Sequence, residues 1–194
     1  MSNEIKGKHL MVCTPVHSDV SIHFMKACLD LQKEALLNKT KVTFHLMKSS
    51  LVTQGRNLLT SAFLNSDADQ MLFIDSDIEF TTRSVYRLFQ CEHEISLIPY
   101  PMKNISNEKF RKDYERRPDD DVRTMGHIFP IELPDIKNVR PKDGFIEVHK
   151  GPTGMMMIKR SAFDKLIEHY KELTIIQKTM MNGKLVDRPH YYNF

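Results

Sequence analysis

The chain has 194 residues and a mass of 22.7 kDa, which suits one domain and is short for two. With 41% hydrophobic, 27% charged and 9% aromatic residues, it is neither disordered nor low in complexity. A net charge of +3 falls short of the dense basic stripe of a nucleic-acid binder, and no apolar run reaches the roughly 18 residues a membrane-spanning helix needs. The polar start, Met1 to Lys8, carries Glu4 and leads into an apolar run of only Leu10 to Cys13, so no signal peptide is expected. Cys13, Cys28 and Cys91 are too few and too scattered for a disulfide framework or a CxxC metal site. They read as buried thiols in a reducing, cytoplasmic setting.

In chain order, the pattern alternates strand and helix. His9 to Pro15 is a short apolar run that reads as a buried strand. Ser18 to Leu37 carries Val20, Phe24, Ala27, Cys28, Leu31 and Ala35 at helical spacing, with Ser18 or Asp19 as the expected cap. Lys41 to Lys48 alternates Val42, Phe44 and Leu46 inward as a second strand. Thr53 to Asn65 is a second helix, with Leu58, Leu59, Ala62 and Phe63 on one face. Gln70 to Ile74 is a third strand, Thr82 to Cys91 a third helix, and Glu94 to Tyr100 a fourth strand. Phe145 to His149 and Gly154 to Lys159 read as two further strands, and Arg160 to Leu173 as a final helix. Between them, Pro101 to Asp143 has four prolines after the first, mixed charges and little apolar periodicity. Such a stretch is either a lid or acceptor-binding loop, or a solvated surface excursion. The expected fold is α/β, with a mostly parallel sheet of about six strands between helices, and ligands beyond the strands' carboxyl ends.

The chemistry concentrates at one such end. Of three DxD matches among 14 aspartates, only Asp75-Ser76-Asp77 follows directly on an apolar strand, Met71-Leu72-Phe73-Ile74. Two carboxylates there repel unless a cation or a shared proton intervenes. An all-oxygen donor pair suits Mg²⁺ or Mn²⁺, which complete their shell with water and phosphate oxygens. Capping or turn aspartates ahead of the helix at Thr82 are the structural alternative. Gln54-Gly55-Arg56-Asn57 opens the helix before that strand, where an arginine adds donors that suit an anion. Thr14-Pro15-Val16-His17 ends the first strand and suits a loop beside a base or ribose. Gly151-Pro152-Thr153-Gly154 precedes the apolar strand of Met155 to Lys159, and its glycines permit close approach to a ligand.

Taken in order, these features and Tyr100-Pro101-Met102-Lys103 resemble the GT-A, Rossmann-like family of nucleotide-sugar glycosyltransferases, from about residue 8 to 165. The chain is also similar to the N-terminal glycosyltransferase domain of a larger chlorovirus protein, which would put it in a host cell's cytoplasm. The resemblance implies transfer of a sugar from a nucleotide sugar, most often a UDP-sugar, to a glycan or glycoprotein. Asp77 would bind Mn²⁺ or Mg²⁺, and Asp75 would touch the ribose or the metal. Thr14, Pro15, His17, Arg56 and Ser76 would line the nucleotide pocket. Lys103 and the Thr153-Gly154 turn would face the donor sugar or the acceptor.

Inverting relatives carry an acidic base motif and often a metal-binding histidine after the Gly-rich strand. Here Asp187 could serve as the base and His190 as a third ligand, within Asp187-Arg188-Pro189-His190-Tyr191-Tyr192. Without an assured base, a retaining outcome is slightly favoured. The family pattern also makes residues 1–194 a minimal domain or one excised from a longer protein. Two rivals stand beside this reading. One is a haloacid-dehalogenase-type phosphatase with Asp75 as nucleophile, although Glu79 stands where that family has Thr or Val. The other is a non-catalytic sugar-nucleotide-binding module, which would not need both acids.

Overall fold

The computed structural model describes residues 6–135, 137–181 and 183–191. Tyr192 of the C-terminal run lies outside them. The elements are β1 (His9–Val16), α1 (Ile22–Asn38), β2 (Lys41–Lys48), α2 (Val52–Leu64), β3 (Gln70–Ile74), α3 (Thr82–Phe89), β4 (Ile95–Leu97), α4 (Asn107–Arg116), β5 (Met155–Lys159), α5 (Arg160–His169), β6 (Thr174–Met181) and β7 (Lys184–Tyr191). They form two compact units, residues 98–152 and the remainder.

The larger unit is built on a five-stranded sheet of order β2-β1-β3-β5-β4. β1 pairs in parallel with β2 and with β3, and β5 runs antiparallel to both β3 and β4. The β3 run Met71 to Ile74 is wholly buried, which is why it reads as an unbroken apolar stretch rather than an alternating one. Met11, Cys13, Met71 and Phe73 meet Leu59 and Phe63 of α2 and Ala162 and Phe163 of α5. Phe63 and Phe163 lie with their ring centroids 5.7 Å apart. α1 and α3 lie together elsewhere. Phe24 packs edge-on to Phe80 at 6.0 Å, and Asn38 Nδ2 donates to the Tyr86 hydroxyl at 3.5 Å.

The sheet has five strands, where about six are expected. Phe145–His149 forms no strand: it lies in the smaller unit, where Lys142 and Phe145 exchange backbone hydrogen bonds in a tight turn. Leu46 on the edge strand β2 is 44% exposed rather than turned inward, and Met47 packs on the core instead. The α1 cap is Ser21, whose hydroxyl accepts from the His23 N–H at 3.2 Å, not Ser18 or Asp19. The last predicted helix stops at His169, and a single 3-10 turn follows at Lys171–Leu173.

Two features were not expected. β6 and β7 form a separate hairpin with Met181 opposite Lys184. Its sequence signal is the Asn182-Gly183 dipeptide, the usual two-residue hairpin connection. A lone hairpin is marginal in water, and this one leans on α2. The Tyr191 N–H donates to Ser61 Oγ at 3.0 Å, and Asn65 Nδ2 donates to the Pro189 carbonyl at 3.3 Å.

The second is α4 in the smaller unit. Ser106 caps it by accepting from the Lys109 N–H at 3.2 Å. Asp113 on this helix accepts from the Gly126 N–H at 3.0 Å. Gly126 has φ +72°, and a Cβ there would meet the Ile105 methyl at 2.7 Å, so glycine is required.

Candidate functional site

The sheet order defines a crevice. From β1 the chain crosses to β2 on one side, then returns to lay β3 on the other side of β1. The direction of travel thus reverses between β1 and β3, and ligands bind outside the carboxyl ends at such a switch point. Thr14, Pro15 and Val16 end β1, and Asp75 follows β3 at once. Most of the residues singled out in the sequence meet here.

Arg56 is the hub. The α2 turn that carries it packs against Ser49, just after β2, more closely than a side chain at position 55 would comfortably allow, and against Pro15 of β1 at ordinary contact distance. A Cβ there would sit 3.3 Å from Ser49 Cβ and 3.6 Å from Pro15 Cβ. Arg56 is only 5% exposed. Its Nη2 donates to Asp75 Oδ1 at 2.8 Å and its Nη1 to the Thr153 carbonyl at 3.1 Å. The guanidinium carbon lies 4.9 Å from the centre of the Phe73 ring. The Asp75 N–H donates to the Gly154 carbonyl at 2.9 Å. The helix start, the strand end and the turn before β5 are thereby joined.

Ser76 makes a second brace. Its Oγ donates to the Asp19 carbonyl at 3.0 Å, and its own carbonyl accepts from the Ser21 N–H at 2.9 Å. This ties the acid turn to the loop after β1, in which His17 is exposed. Asp19 and Ser21 were not singled out as site residues. Their backbone contacts leave no trace in residue type.

The electrostatics of the pair are opposed. Burial pushes the Asp75 carboxyl above its ordinary range, the Arg56 guanidinium pulls it down, and Asp77 pushes it up again, leaving a net upward shift. Asp77 is exposed, and Asp75 is partly so. Two carboxylates two positions apart, one of them already raised, form a donor set that a hard divalent cation would relieve. The residues present therefore fit Mg²⁺ or Mn²⁺ through oxygens. Among the described residues no three His, Cys, Asp or Glu side chains gather to hold a metal. His190 is thus not brought to Asp75 and Asp77 as a third ligand.

The remaining expected residues lie elsewhere. Asp187 is exposed on β7, and His190 is on the same strand opposite Ile175. Lys103 is exposed in the smaller unit. Thr14 does stand at the crevice end of β1, but it is fully buried with its Oγ1 lacking a hydrogen-bond partner, so its side chain does not line a pocket as expected. The three cysteines are buried and unpaired, and burial pushes the Cys28 thiol up to about 11.

A cavity of about 330 Å³ opens at the other end of β3, lined by Lys8, Asp69, Gln70, Lys159, Arg160 and Ser161. Its cations are engaged: Lys8 with Asp69, Lys159 with the Glu92 carbonyl, and Arg160 with carbonyls after α2. The chemistry thus favours the Asp75 end, despite the hollow at this one.

No protein-family model matches the chain, and no curated protein matches it. Among solved structures it is similar to A197 from STIV, with 18% identity and a TM-score of 0.45, over 81% of this chain and 68% of that one. It is also similar to 4-diphosphocytidyl-2C-methyl-D-erythritol synthase from Anaerococcus prevotii, with 9% identity and a TM-score of 0.42, over 94% of this chain and 82% of that one. Neither likeness is strong enough to assign a function to this chain.

Proposed function

We propose that the chain is a transferase for a nucleotide-linked substrate. More narrowly, we read it as a glycosyltransferase that moves a sugar from a UDP-sugar to a glycan or glycoprotein acceptor. The supporting observation is the coincidence of an acidic pair with the switch-point crevice of the sheet. Asp77 and Asp75 would hold Mn²⁺ or Mg²⁺ against the donor diphosphate. A cation held there supplies a Lewis acid for the negative charge that develops on the leaving diphosphate.

The chain's own residues do the positioning. Arg56 holds one oxygen of Asp75, and Ser76 ties the acid turn to the loop after β1, so both acids sit on a braced turn. His17 borders the β1 side of the crevice, where Thr14 and Pro15 are buried at the strand end, and Thr153 and Gly154 border the β5 side. Roles for Lys103 toward the sugar or acceptor and for Asp187 as a base follow from the family resemblance alone. The reading keeps the slight preference for retention of configuration.

Calorimetry of UDP with Mn²⁺, with Mg²⁺ and with EDTA tests the reading. Binding is expected only with metal, and Asp77→Ala is expected to weaken it by more than about 100-fold, since loss of even an outer partner of a metal ligand costs about 10- to 100-fold. A circular-dichroism spectrum and thermal midpoint of the variant check that it stays folded, so that a loss of binding is read at the site. Equal binding in EDTA would overturn the metal bridge. Donor hydrolysis across uridine, guanosine and thymidine diphosphate sugars then identifies the nucleotide.

A further inference from the structure

We propose that Arg56 is a positioning residue, not a ligand contact: it clamps Asp75 and the Thr153 turn into one rigid acid end. An arginine at a helix start reads from sequence as an anion binder. Here it is nearly buried, and its two terminal nitrogens are on protein acceptors 97 and 19 residues away in the chain. The Phe73 ring covers the guanidinium carbon. At 5% exposure the guanidinium offers almost no open face to a phosphate, and displacing Asp75 to make one would leave a carboxylate half-buried beside Asp77. The forked geometry matters: a planar guanidinium reaches a carboxylate and a carbonyl on different elements at once, which a point-charge ammonium does poorly. This inference rests on the donor-site reading for its consequence, which is that Arg56 organises the metal-binding acids.

The experiment uses the full chain, Arg56→Gln and Arg56→Lys, with two readouts. The first is amide hydrogen exchange at Asp75, whose N–H bonds Gly154, and at Met155, with Val12 as the core reference. Both variants are expected to speed exchange at Asp75 and Met155 by about tenfold while Val12 is unchanged. The second is binding of Mn²⁺ alone, titrated by electron paramagnetic resonance. Removing a cation beside a metal site should tighten metal binding if the cation does nothing else. A positioning role predicts the opposite sign, weaker Mn²⁺ binding in Arg56→Gln, with partial recovery in Arg56→Lys. Unchanged exchange at Asp75, or Mn²⁺ binding as tight as in the wild type or tighter, overturns the inference. Should the wild type bind no Mn²⁺, the metal reading fails, and the exchange rates still decide whether Arg56 clamps the acid end.

Discussion

At the scale of single residues, side chains gain meaning from what surrounds them. His9 is nearly buried at the start of β1, with Nδ1 2.9 Å from Asp67 Oδ1 and Nε2 3.0 Å from Thr43 Oγ1. Lys41 also bonds Asp67, at 2.9 Å. His45 lies on the neighbouring strand, and burial, then the nearby His9, push its pKa below the ordinary 6.5. Folded His45 therefore holds its proton less tightly than the unfolded chain does. The stability it contributes is complete above pH 6.5 and is lost as the pH falls through the lowered value. His45→Gln should consequently flatten the fall in stability between neutral and mildly acidic pH. Urea midpoints at about pH 7.5 and about pH 5.5 check this: the wild type should lose more than the variant, and equal losses would refute the assignment.

At the scale of elements, Arg160 shows how one side chain ends a helix it does not belong to. It opens α5, and its guanidinium donates to the Phe63, Leu64, Ser66 and Ala68 carbonyls at 2.8 to 3.3 Å. It also lies over the Phe63 ring, at 4.4 Å from the centroid. These carbonyls belong to the end of α2 and the loop into β3, groups that a helix leaves unsatisfied at its C-terminus. Arg160→Ala strips that cluster and should destabilise the chain by about 3 kcal/mol, the range for charged hydrogen bonds whose partners are left unpaired. Arg160→Lys should recover less than half of the loss, because an ammonium lacks the planar fork. Urea unfolding of the three proteins measures it. The first turns of α2 use an arginine differently: Arg56 leaves the helix's own end groups alone and joins α2 to Asp75 and to the Thr153 carbonyl.

At the scale of the whole molecule, burial is unevenly shared. β1 is buried along its full length, and β3 from its second residue onward. In residues 98–152, by contrast, α4 buries no side chain and Met125 is the one buried apolar side chain larger than proline among the described residues. Segments with few buried contacts open with little free energy. Amides of 98–152 should therefore exchange at least about 100-fold faster than those of β1 and β3. Hydrogen exchange read by mass spectrometry checks this, and uniform protection across the chain would contradict it. The long region without apolar periodicity is accordingly a small unit of its own, held by turn contacts such as Asp113 to Gly126 rather than by a core.

Most of the larger unit was legible because its signals are local. The apolar run Met71 to Ile74 determined a buried strand, and the acids after it determined which sheet end carries charge. The helical spacing of Phe24, Cys28, Leu31 and Ala35 determined α1 and its buried face. Tertiary structure alone decided the rest. β5 pairs antiparallel with β3 across a long stretch of intervening chain, and no periodicity within either strand encodes that direction. The same holds at the site. Thr14, Asp75, Ser76 and Gly154 could be picked out by their place beside strands. That Arg56 is buried against Phe73 and spent on Asp75 and Thr153 could not, because exposure and pairing of a side chain depend on elements far away in sequence. Residue type and spacing determined where charge collects in this protein; the packing of α2 on the sheet decided that Arg56 is answered within the fold, by Asp75 and the Thr153 carbonyl.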